Sequence, residues 1–374
     1  MTLPPFRPAS PTPSVSGNGL ISLTLLGNTM SQLGREIQEQ PTVIRRLLEA
    51  ERDMAQRVAE AIRSRHIQHI VIAARGSSDN AARYAGYLFG ALNQLSVGLA
   101  MPSLFTLYDT PPRLPDTLVV GISQSGQSPD IVAVLAEGRR QGALTLAITN
   151  DLRSPLATEV EYGLNLHAGP ERSVAATKTY TTSLTALALL AASLAEDTNR
   201  LAELADLPEA VAQTLTLDQA AQATANRWRF ADRCVVVGRG YNYATAFEIA
   251  LKLKELTYTA AEPYSPADFL HGPVAMVERD FPAVVIAPSG ATLANVHALA
   301  RDLRDAGAEL LVISDAPAML HLGQTSLALP DKVPEWLSPV TAAVAGQIFA
   351  LHLTQAKGLD PDHPRGLQKV TRTR

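Results

Sequence analysis

The sequence lacks the features that mark disulfide-bonded, membrane-spanning and nucleic-acid-binding proteins. Its 374 residues include one cysteine, Cys234, which excludes an intramolecular disulfide framework. No run of about twenty apolar residues is present, so we expect no membrane partner. The formal net charge is -4, and Lys and Arg form no block outside the last residues, which argues against nucleic acid as a partner. Cys234 lies in the apolar run CVVVG and is predicted to be a buried strand residue.

The N-terminal segment also lacks a targeting signal. Residues 1–28 begin MTLPPFRPASPTPSVSGNG, which is rich in Pro, Ser and Gly and has neither a basic start nor an apolar core. We therefore predict a flexible tail here and a cytoplasmic protein. At 374 residues the chain is long enough for two domains that each bury a core.

Helical and strand patterns alternate after this tail. Residues 29–65 place apolar residues at helical spacing, with Pro41 opening a second helix, and predict a helical lead-in. Apolar runs then predict strands at HIVIAARG, residues 104–107, TLVVGISQSG and LTLAITN, with helices near residues 80–92 and 130–141. Strands buried on both faces and separated by helices indicate an α/β fold, with a parallel sheet flanked by helices on both faces.

An internal repeat divides the chain into two similar halves. IVIAARGSSDNA matches VVVGRGYNYATA, VVGISQSG matches VVIAPSG, and RRQGALTLAITND matches RDAGAELLVISDA, and the members of each pair lie 164 or 165 residues apart. We predict a first domain at residues 66–200 and a second at 231–355. A helical connector at 201–230 would join them, and a C-terminal tail at 356–374 would close the site.

The stretch ISQSGQSPD, which follows the buried run TLVVG, is crowded with small polar side chains. Ligands of open parallel sheets bind beyond the carboxyl ends of the strands, where helix N-termini leave amides free. Hydroxyls and amides in such a turn can surround phosphate oxygens without a cation. The candidate residues are Ser123, Gln124, Ser125 and Ser128 in this turn, and Ser77 and Ser78 after the first strand.

Either turn alone could be ordinary turn and helix-cap structure, because Ser, Gly and Asn are common there. The repeat favours a functional interpretation, since Ala287, Pro288 and Thr292 replace Ser123, Gln124 and Ser128 in the second half. The fold itself therefore does not require these polar side chains. No GxxxxGK[ST] motif is present, which favours a phosphomonoester on a small molecule over a nucleoside triphosphate.

A helix of the second half carries charges on one face. Glu248, Lys252 and Glu255 follow at i, i+4 and i+7, either as a surface salt bridge or as a group that moves a proton next to a carbonyl. His271 lies in the following LHGP loop. Glu171, in GPERSVAATKTYTTS, either belongs to a capped helix start or accepts a sugar hydroxyl. Lys369 lies in the basic C-terminal segment.

The motifs ISQSGQS, VAATKTYTT, ALKLKE, HGP and PRGLQK, in this order, resemble the sugar isomerase (SIS) domain family, specifically the isomerase half of glucosamine-6-phosphate synthase and its stand-alone relatives. The resemblance runs from MSQLGREIQEQP to PRGLQKV. It implies two tandem SIS domains, each with a flavodoxin-like parallel sheet, and no cofactor or metal. It also implies a homodimer whose sites bind a hexose or hexosamine 6-phosphate with residues from both subunits.

The resemblance implies roles for the candidate residues. Glu255 resembles the base that moves a proton between C1 and C2, supported by Glu248 and Lys252. His271 is similar to the histidine that opens the sugar ring, and we expect it from the other subunit. Lys369 matches a tail lysine that can form a Schiff base with the keto sugar. The implied substrate and phosphate site comprises Ser77, Ser78, Ser123, Gln124, Ser125, Ser128, Glu171, Val174 and Ala175.

The sequence also departs from the family. Arg75 and Ser173 stand where the synthase has smaller residues, and Ala176 stands where it has a serine. The synthase begins with a glutaminase domain and its cysteine, whereas Thr2 follows Met1 here, so we expect an enzyme that consumes the amino sugar. The expected activity is that of a glucosamine-6-phosphate deaminase. A phosphosugar isomerase, a fructosamine-6-phosphate deglycase and a non-catalytic phosphosugar-binding protein are the alternatives.

Overall fold

The computed structural model describes residues 30–369, so the tail predicted at residues 1–28 lies outside the described residues. Three helices open the described part: α1 (Gln32–Gln38), α2 (Gln40–Ala50) and α3 (Arg52–Ser64). Pro41 stands in the first turn of α2, where its missing N–H costs no hydrogen bond. The first half continues as β1 (His69–Ala73), α4 (Ser77–Asn93), β2 (Ser96–Leu99), α5 (Ser103–Thr106), β3 (Thr117–Ser123), α6 (Pro129–Arg140), β4 (Leu144–Thr149), α7 (Pro155–Thr158), β5 (Tyr162–Asn165) and α8 (Lys178–Leu194).

Three helices lead from the first half into the second, and they are α9 (Thr198–Ala205), α10 (Leu207–Leu215) and α11 (Asp218–Trp228). The second half contains β6 (Arg233–Val237), α12 (Tyr241–Thr257), β7 (Ala260–Tyr264), α13 (Pro266–Leu270), a 3₁₀ turn (Pro273–Met276), β8 (Pro282–Ile286), α14 (Leu293–Asp305), β9 (Glu309–Ser314), α15 (Pro317–Leu320), β10 (Thr325–Ala328) and α16 (Ser338–Ala356). No helix among the described residues is long and apolar enough to cross a bilayer.

The two halves form two parallel sheets with the same strand order. The first sheet runs β2-β1-β3-β4-β5 and the second β7-β6-β8-β9-β10, which is the flavodoxin-like order. The strand registers match as well. Val71 pairs with Val119 in the first sheet, and the residues 165 positions later, Val236 and Val284, pair in the second sheet. The predicted fold class is therefore confirmed, and the repeat in the sequence corresponds to a repeat in the structure.

One predicted strand is wrong. The run at residues 104–107 belongs largely to helix α5, and the edge strand β2 is instead the less apolar SVGL at Ser96–Leu99. Pro102 precedes α5 with φ -56°, a value that its ring fixes and that suits the start of a helix. The run of residues 104–107 has three apolar residues and Thr106, which is too short for a periodicity that separates strand from helix. The proline before it therefore determined the structure of this segment.

The hydrophobic core lies mainly between the halves. Alternate residues of β3 face opposite sides, with Val120 in the central core and Val119 in a smaller cluster on the outer face. The central core also contains residues of α4, α8, α12 and α16, so both halves contribute to it. Cys234 lies in this core, as predicted, and its burial raises the pKa of its thiol to about 12.

Candidate active site

A cavity of about 360 Å³ lies at the carboxyl ends of β1 and β3. This is where the strand order of the first sheet reverses, the position at which open α/β sheets bind ligands. Both halves and the C-terminal segment contribute side chains to it. The lining residues are Arg75, Gly76, Ser77, Ser78, Ser123, Gln124, Ser125, Ser128, Glu171, Val174, Ala176, Glu255, Leu367, Gln368 and Lys369.

Two of the serine hydroxyls in the turn after β3 bind backbone N–H groups of the same turn. The hydroxyl of Ser123 accepts the Gly126 N–H at 3.1 Å, and that of Ser125 accepts the Gln127 N–H at 3.3 Å. Gly126 has a φ of +61°, and a Cβ there would lie 2.1 Å from a side-chain oxygen of Ser154. Glycine is therefore required at this position, because both its backbone and its contacts exclude a side chain.

Other polar side chains of the cavity remain free to bind a ligand. Within residues 30–369, the side chains of Ser78, Gln124 and Ser128 make no hydrogen bond, although all three line the cavity. Ser128 precedes α6 without capping it through its side chain. The first turn of α6 therefore points toward the cavity with an unused hydroxyl beside it, an arrangement that suits an anion.

The three charged residues of α12 are not a surface salt bridge. Lys252 and Glu248 are almost completely buried, and the Lys252 Nζ lies 2.6 Å from Glu255 Oε2 and 3.5 Å from Glu248 Oε1. Burial alone would lower the pKa of Lys252, but the two carboxylates outweigh it and raise that pKa. Lys252 is therefore a charged ammonium held between two carboxylates, of which Glu255 lines the cavity.

Six polar residues of the cavity form a cradle beyond the strand ends: Ser77, Ser78, Ser123, Gln124, Ser125 and Ser128. Glu248 connects α12 to this cradle. It accepts hydrogen bonds from the Ser77 hydroxyl at 2.9 Å and from Asn80 Nδ2 at 2.8 Å, both on α4. Burial raises the pKa of Glu248, and Lys252 opposes that shift. Since Glu248 does not line the cavity, its contacts position Ser77 and Lys252.

Glu171 accepts hydrogen bonds from backbone N–H groups at the start of α8 and also forms an ion pair with the C-terminal segment. It accepts the N–H groups of Thr177 and Thr179 at 3.0 and 3.1 Å and the Thr179 hydroxyl at 2.7 Å. Lys369 Nζ lies 2.8 Å from Glu171 Oε2. Burial opposes ionisation, but Lys369 and these donors together lower the pKa of Glu171. Glu171 therefore serves the start of α8, and because it also lines the cavity its role as acceptor of a sugar hydroxyl stays a prediction. A Schiff base at Lys369 requires that its ion pair first be broken.

Two other contacts hold the C-terminal segment in place. The Asp362 carboxylate accepts the backbone N–H groups of Gln32 and Leu33 at 2.8 and 2.9 Å, at the start of α1. The Arg365 guanidinium stacks 3.9 Å from the ring centre of Tyr258, and its backbone N–H donates to the Tyr258 hydroxyl. The segment that carries Lys369 is thus docked before it reaches the cavity.

We expect Glu171→Gln to release residues 366–369 from the cavity. The ion pair with Lys369 is lost, so trypsin should cleave after Lys369 faster than in the unsubstituted protein, as mass spectrometry can follow. Because the pKa of Glu171 is lowered from 4.5, docking should persist as the pH falls to that value and weaken only below it. Amide exchange of residues 366–369 measures this pH dependence, and Glu161→Gln, at an exposed ion pair, is the control. Equal cleavage rates in Glu171→Gln and the control would contradict the docking role.

Four predicted residues do not line the cavity of their own chain: the buried Glu248 and Lys252 described above, and Ala175 and His271. Ala175 is buried in the central core, and its neighbours Val174 and Ala176 line the cavity instead. His271 is exposed at the end of α13, where its Nδ1 donates to the Ala267 carbonyl at 2.8 Å. Its assignment to the site of a second subunit stays a prediction.

Arg75 is the residue that the sequence interpretation left without a role. It adds a cation to a cradle that was expected to lack one, and its guanidinium is paired with Asp130, with Nε and Nη2 at 3.0 and 2.8 Å from Oδ2. An available signal was the ARG sequence at the end of a strand that points to the cavity. The partner Asp130 lies 55 residues away, a separation that no local pattern reveals.

The fold and cavity define a protein of two flavodoxin-like halves with a cavity lined by polar side chains at the edge of the first sheet. The sequence profile of the SIS domain matches residues 63–193 and 229–329, and the chain belongs to the SIS domain family. It is 35% identical over 345 residues to a glutamine–fructose-6-phosphate aminotransferase (isomerizing) of Thermococcus kodakarensis, covering 90% of this chain and 57% of that relative. The chain thus spans little more than half of that protein, and corresponds to its isomerase half.

Two solved structures are similar over nearly the whole chain. A proposed phosphosugar isomerase of Silicibacter pomeroyi is 36% identical with a TM-score of 0.81, covering 89% of this chain and 100% of that structure. The C-terminal domain of the glucosamine-fructose-6-phosphate aminotransferase of Francisella tularensis is 27% identical with a TM-score of 0.82, covering 90% and 99%. These likenesses confirm the resemblance expected from the motifs.

Proposed function

We propose that the chain converts a hexosamine 6-phosphate, with glucosamine 6-phosphate as the leading candidate, to fructose 6-phosphate and ammonia. The observation that carries this proposal is that Glu255 lines the same cavity as the free polar groups of the cradle. A phosphate held by the cradle would present the other end of a small sugar to a carboxylate. The relatives named for fructose 6-phosphate and amino transfer supply the choice of sugar.

Glu255 is arranged as a general base. Its Oε2 is held by Lys252 at 2.6 Å, which fixes the carboxylate and leaves Oε1 for the substrate. The base removes the proton at C2 of the open-chain amino aldose and returns it to C1, through a C1–C2 enolamine. The product is an imine at C2, to which water adds before ammonia leaves, and the ketose remains. The Lys369 ammonium stabilises negative charge that develops on the C1 oxygen.

The remaining assignments complete this proposed site. Ser78, Gln124 and Ser128 would bind the phosphate, and Ser123 and Ser125 would shape the turn that presents them. His271 would open the sugar ring from a second subunit of a homodimer. The site needs no metal or cofactor for these proton transfers. We also propose that the two SIS domains occupy residues 66–200 and 231–355.

An ammonia-release assay tests the proposed reaction. The purified chain is incubated with glucosamine, galactosamine and mannosamine 6-phosphates, and ammonia and fructose 6-phosphate are measured separately. We expect equal amounts of both products from glucosamine 6-phosphate. Aldose–ketose conversion without ammonia would indicate a plain isomerase, and release of an amino acid from a fructosamine 6-phosphate would indicate a deglycase. Binding without turnover of any of these sugars would also show that the proposal is wrong.

A further inference from the structure

We propose that Arg75 is a specificity-determining residue that binds the substrate phosphate, an inference that rests on the proposed function. Arg75 follows β1 and lines the cavity, and its side chain is 52% exposed whereas that of its partner Asp130 is 1% exposed. Asp130 stands in the first turn of α6, two residues after Ser128. The pair therefore places the guanidinium at the end of the cavity where the cradle lies.

The Arg75 guanidinium is fixed in position but retains unused donors. Asp130 Oδ1 accepts the Ile131 N–H at 3.0 Å, and Oδ2 accepts the Arg75 Nε–H at 3.0 Å and lies 2.8 Å from Nη2, so both carboxylate oxygens are engaged. A guanidinium has five N–H donors, and the one on Nε donates to Asp130 while Nη2 lies beside the same oxygen. The others have no partner within residues 30–369. A positively charged fork with free donors is the side chain that suits a phosphate.

The second half repeats this arrangement. Arg239 lies 164 residues after Arg75, also between a strand end and a glycine with positive φ, at +56° for Gly76 and +61° for Gly240. Its Nη1 donates to Asn295 Oδ1 at 2.7 Å, in the first turn of the helix that corresponds to α6. Both halves thus use an arginine to brace the start of the helix beside their cradle.

The cradle of the second half already holds an anion from its own chain. The Glu335 carboxylate accepts the Ala291 N–H at 2.8 Å, the Thr292 N–H at 3.3 Å and the Thr292 hydroxyl at 3.0 Å. With the repeat spacing of 164, these residues correspond to Gln127 and Ser128. The backbone of such a turn therefore binds a carboxylate in this very fold.

Among the described residues 30–369, no carboxylate accepts a hydrogen bond from the corresponding amides of Gln127 and Ser128. Glu171, which corresponds to Glu335 with the same spacing of 164, is turned to the start of α8 and to Lys369. Lys369 in the cavity is paired with Glu171, and the buried Lys252 behind Glu255 is paired with that carboxylate. The cradle of the first half can therefore take an external anion, and Arg75 supplies hydrogen-bond donors for it. The second half does not need such donors, because the Glu335 carboxylate already occupies its turn. A phosphomonoester dianion gains most from such a site, and an unphosphorylated sugar gains nothing from it.

Calorimetric titration with inorganic phosphate measures the phosphate affinity directly, and it tests the role of Arg75 without any catalytic turnover. We expect Arg75→Gln to weaken phosphate binding roughly ten- to hundredfold, because it removes charged hydrogen bonds. The matched control Arg239→Gln removes the corresponding arginine outside the cavity and should leave the affinity unchanged. With a hexosamine 6-phosphate as substrate, KM should rise in Arg75→Gln by a similar factor and kcat should change little.

Asp130→Asn separates phosphate binding from a purely structural role. If Arg75 only braces the turn, Asp130→Asn should weaken phosphate binding as Arg75→Gln does, and that result would overturn the proposal. If Arg75 binds phosphate, Asp130→Asn keeps the cation and removes a nearby negative charge, so the affinity should be equal or higher. Unchanged phosphate affinity in Arg75→Gln would also overturn it, even where ammonia is released. The opposite result is that Arg75→Gln loses phosphate affinity but the unsubstituted protein releases no ammonia. That result would contradict the proposed reaction and leave the role of Arg75 in phosphate binding intact.

Discussion

Glu255→Gln is expected to lower kcat for ammonia release about 10²- to 10⁴-fold, the range that a positioned general base contributes. Glutamine keeps the size of the side chain and can accept a hydrogen bond from Lys252, but it cannot take the C2 proton. Phosphate affinity should stay unchanged, because the cradle residues are intact. Single-turnover and steady-state ammonia assays measure the effect on chemistry.

Glu262→Gln is the control for Glu255→Gln, since Glu262 is exposed on β7 and does not line the cavity. It should retain the full rate. A Glu255→Gln protein that releases ammonia as fast as this control would show that another group moves the proton.

Lys252→Met is expected to cost about 3–5 kcal/mol of the free energy of unfolding, because it leaves a buried carboxylate without its countercharge. Glu248 is 1% exposed and keeps only its hydrogen bonds from Ser77 and Asn80. Urea unfolding at neutral pH measures the loss. Lys254→Met, at an exposed position of the same helix, is the matched control and should stay near the stability of the unsubstituted protein.

The loss in Lys252→Met should depend on pH. Burial raises the pKa of Glu248 above its ordinary value of 4.5, and without Lys252 nothing on α12 opposes this shift as strongly. The folded protein then binds a proton that the unfolded chain releases, so stability falls as the pH rises above 4.5. Lys252→Met should thus be less destabilised at pH near 5 than at pH near 8, and Lys252→Met combined with Glu248→Gln should recover stability. A loss equal to that of Lys254→Met would contradict the buried-pair account.

Much of the fold follows from the sequence because its signals are local and occur twice. The matched runs at Ile70 and Val235 predicted two similar sheets, and the paired registers of Val71 with Val119 and Val236 with Val284 agree with their spacing. The failure at residues 104–107 has a local cause in Pro102. A strand is hardest to predict from sequence where the apolar run is short and a proline precedes it.

The site was less predictable because its key contacts join distant positions. Arg75 and Asp130 are 55 residues apart, and Asp362 binds the amide of Gln32 across 330 residues. Only the folded chain brings such polar groups together. For Glu171 the sequence allowed two interpretations. The folded chain shows its contacts with Thr177, Thr179 and Lys369, which support the helix-start role, while the role toward a sugar hydroxyl stays a prediction.

The central core has a consequence for cooperativity. Because α4 and α8 of the first half pack in one core with α12 and α16 of the second, neither half can bury its inner face alone. Unfolding of residues 31–369 should therefore be a shared event, in which opening one half exposes the apolar face of the other. A ligand that binds the cradle would then raise the unfolding free energy of both halves, although it touches α12 only at Glu255.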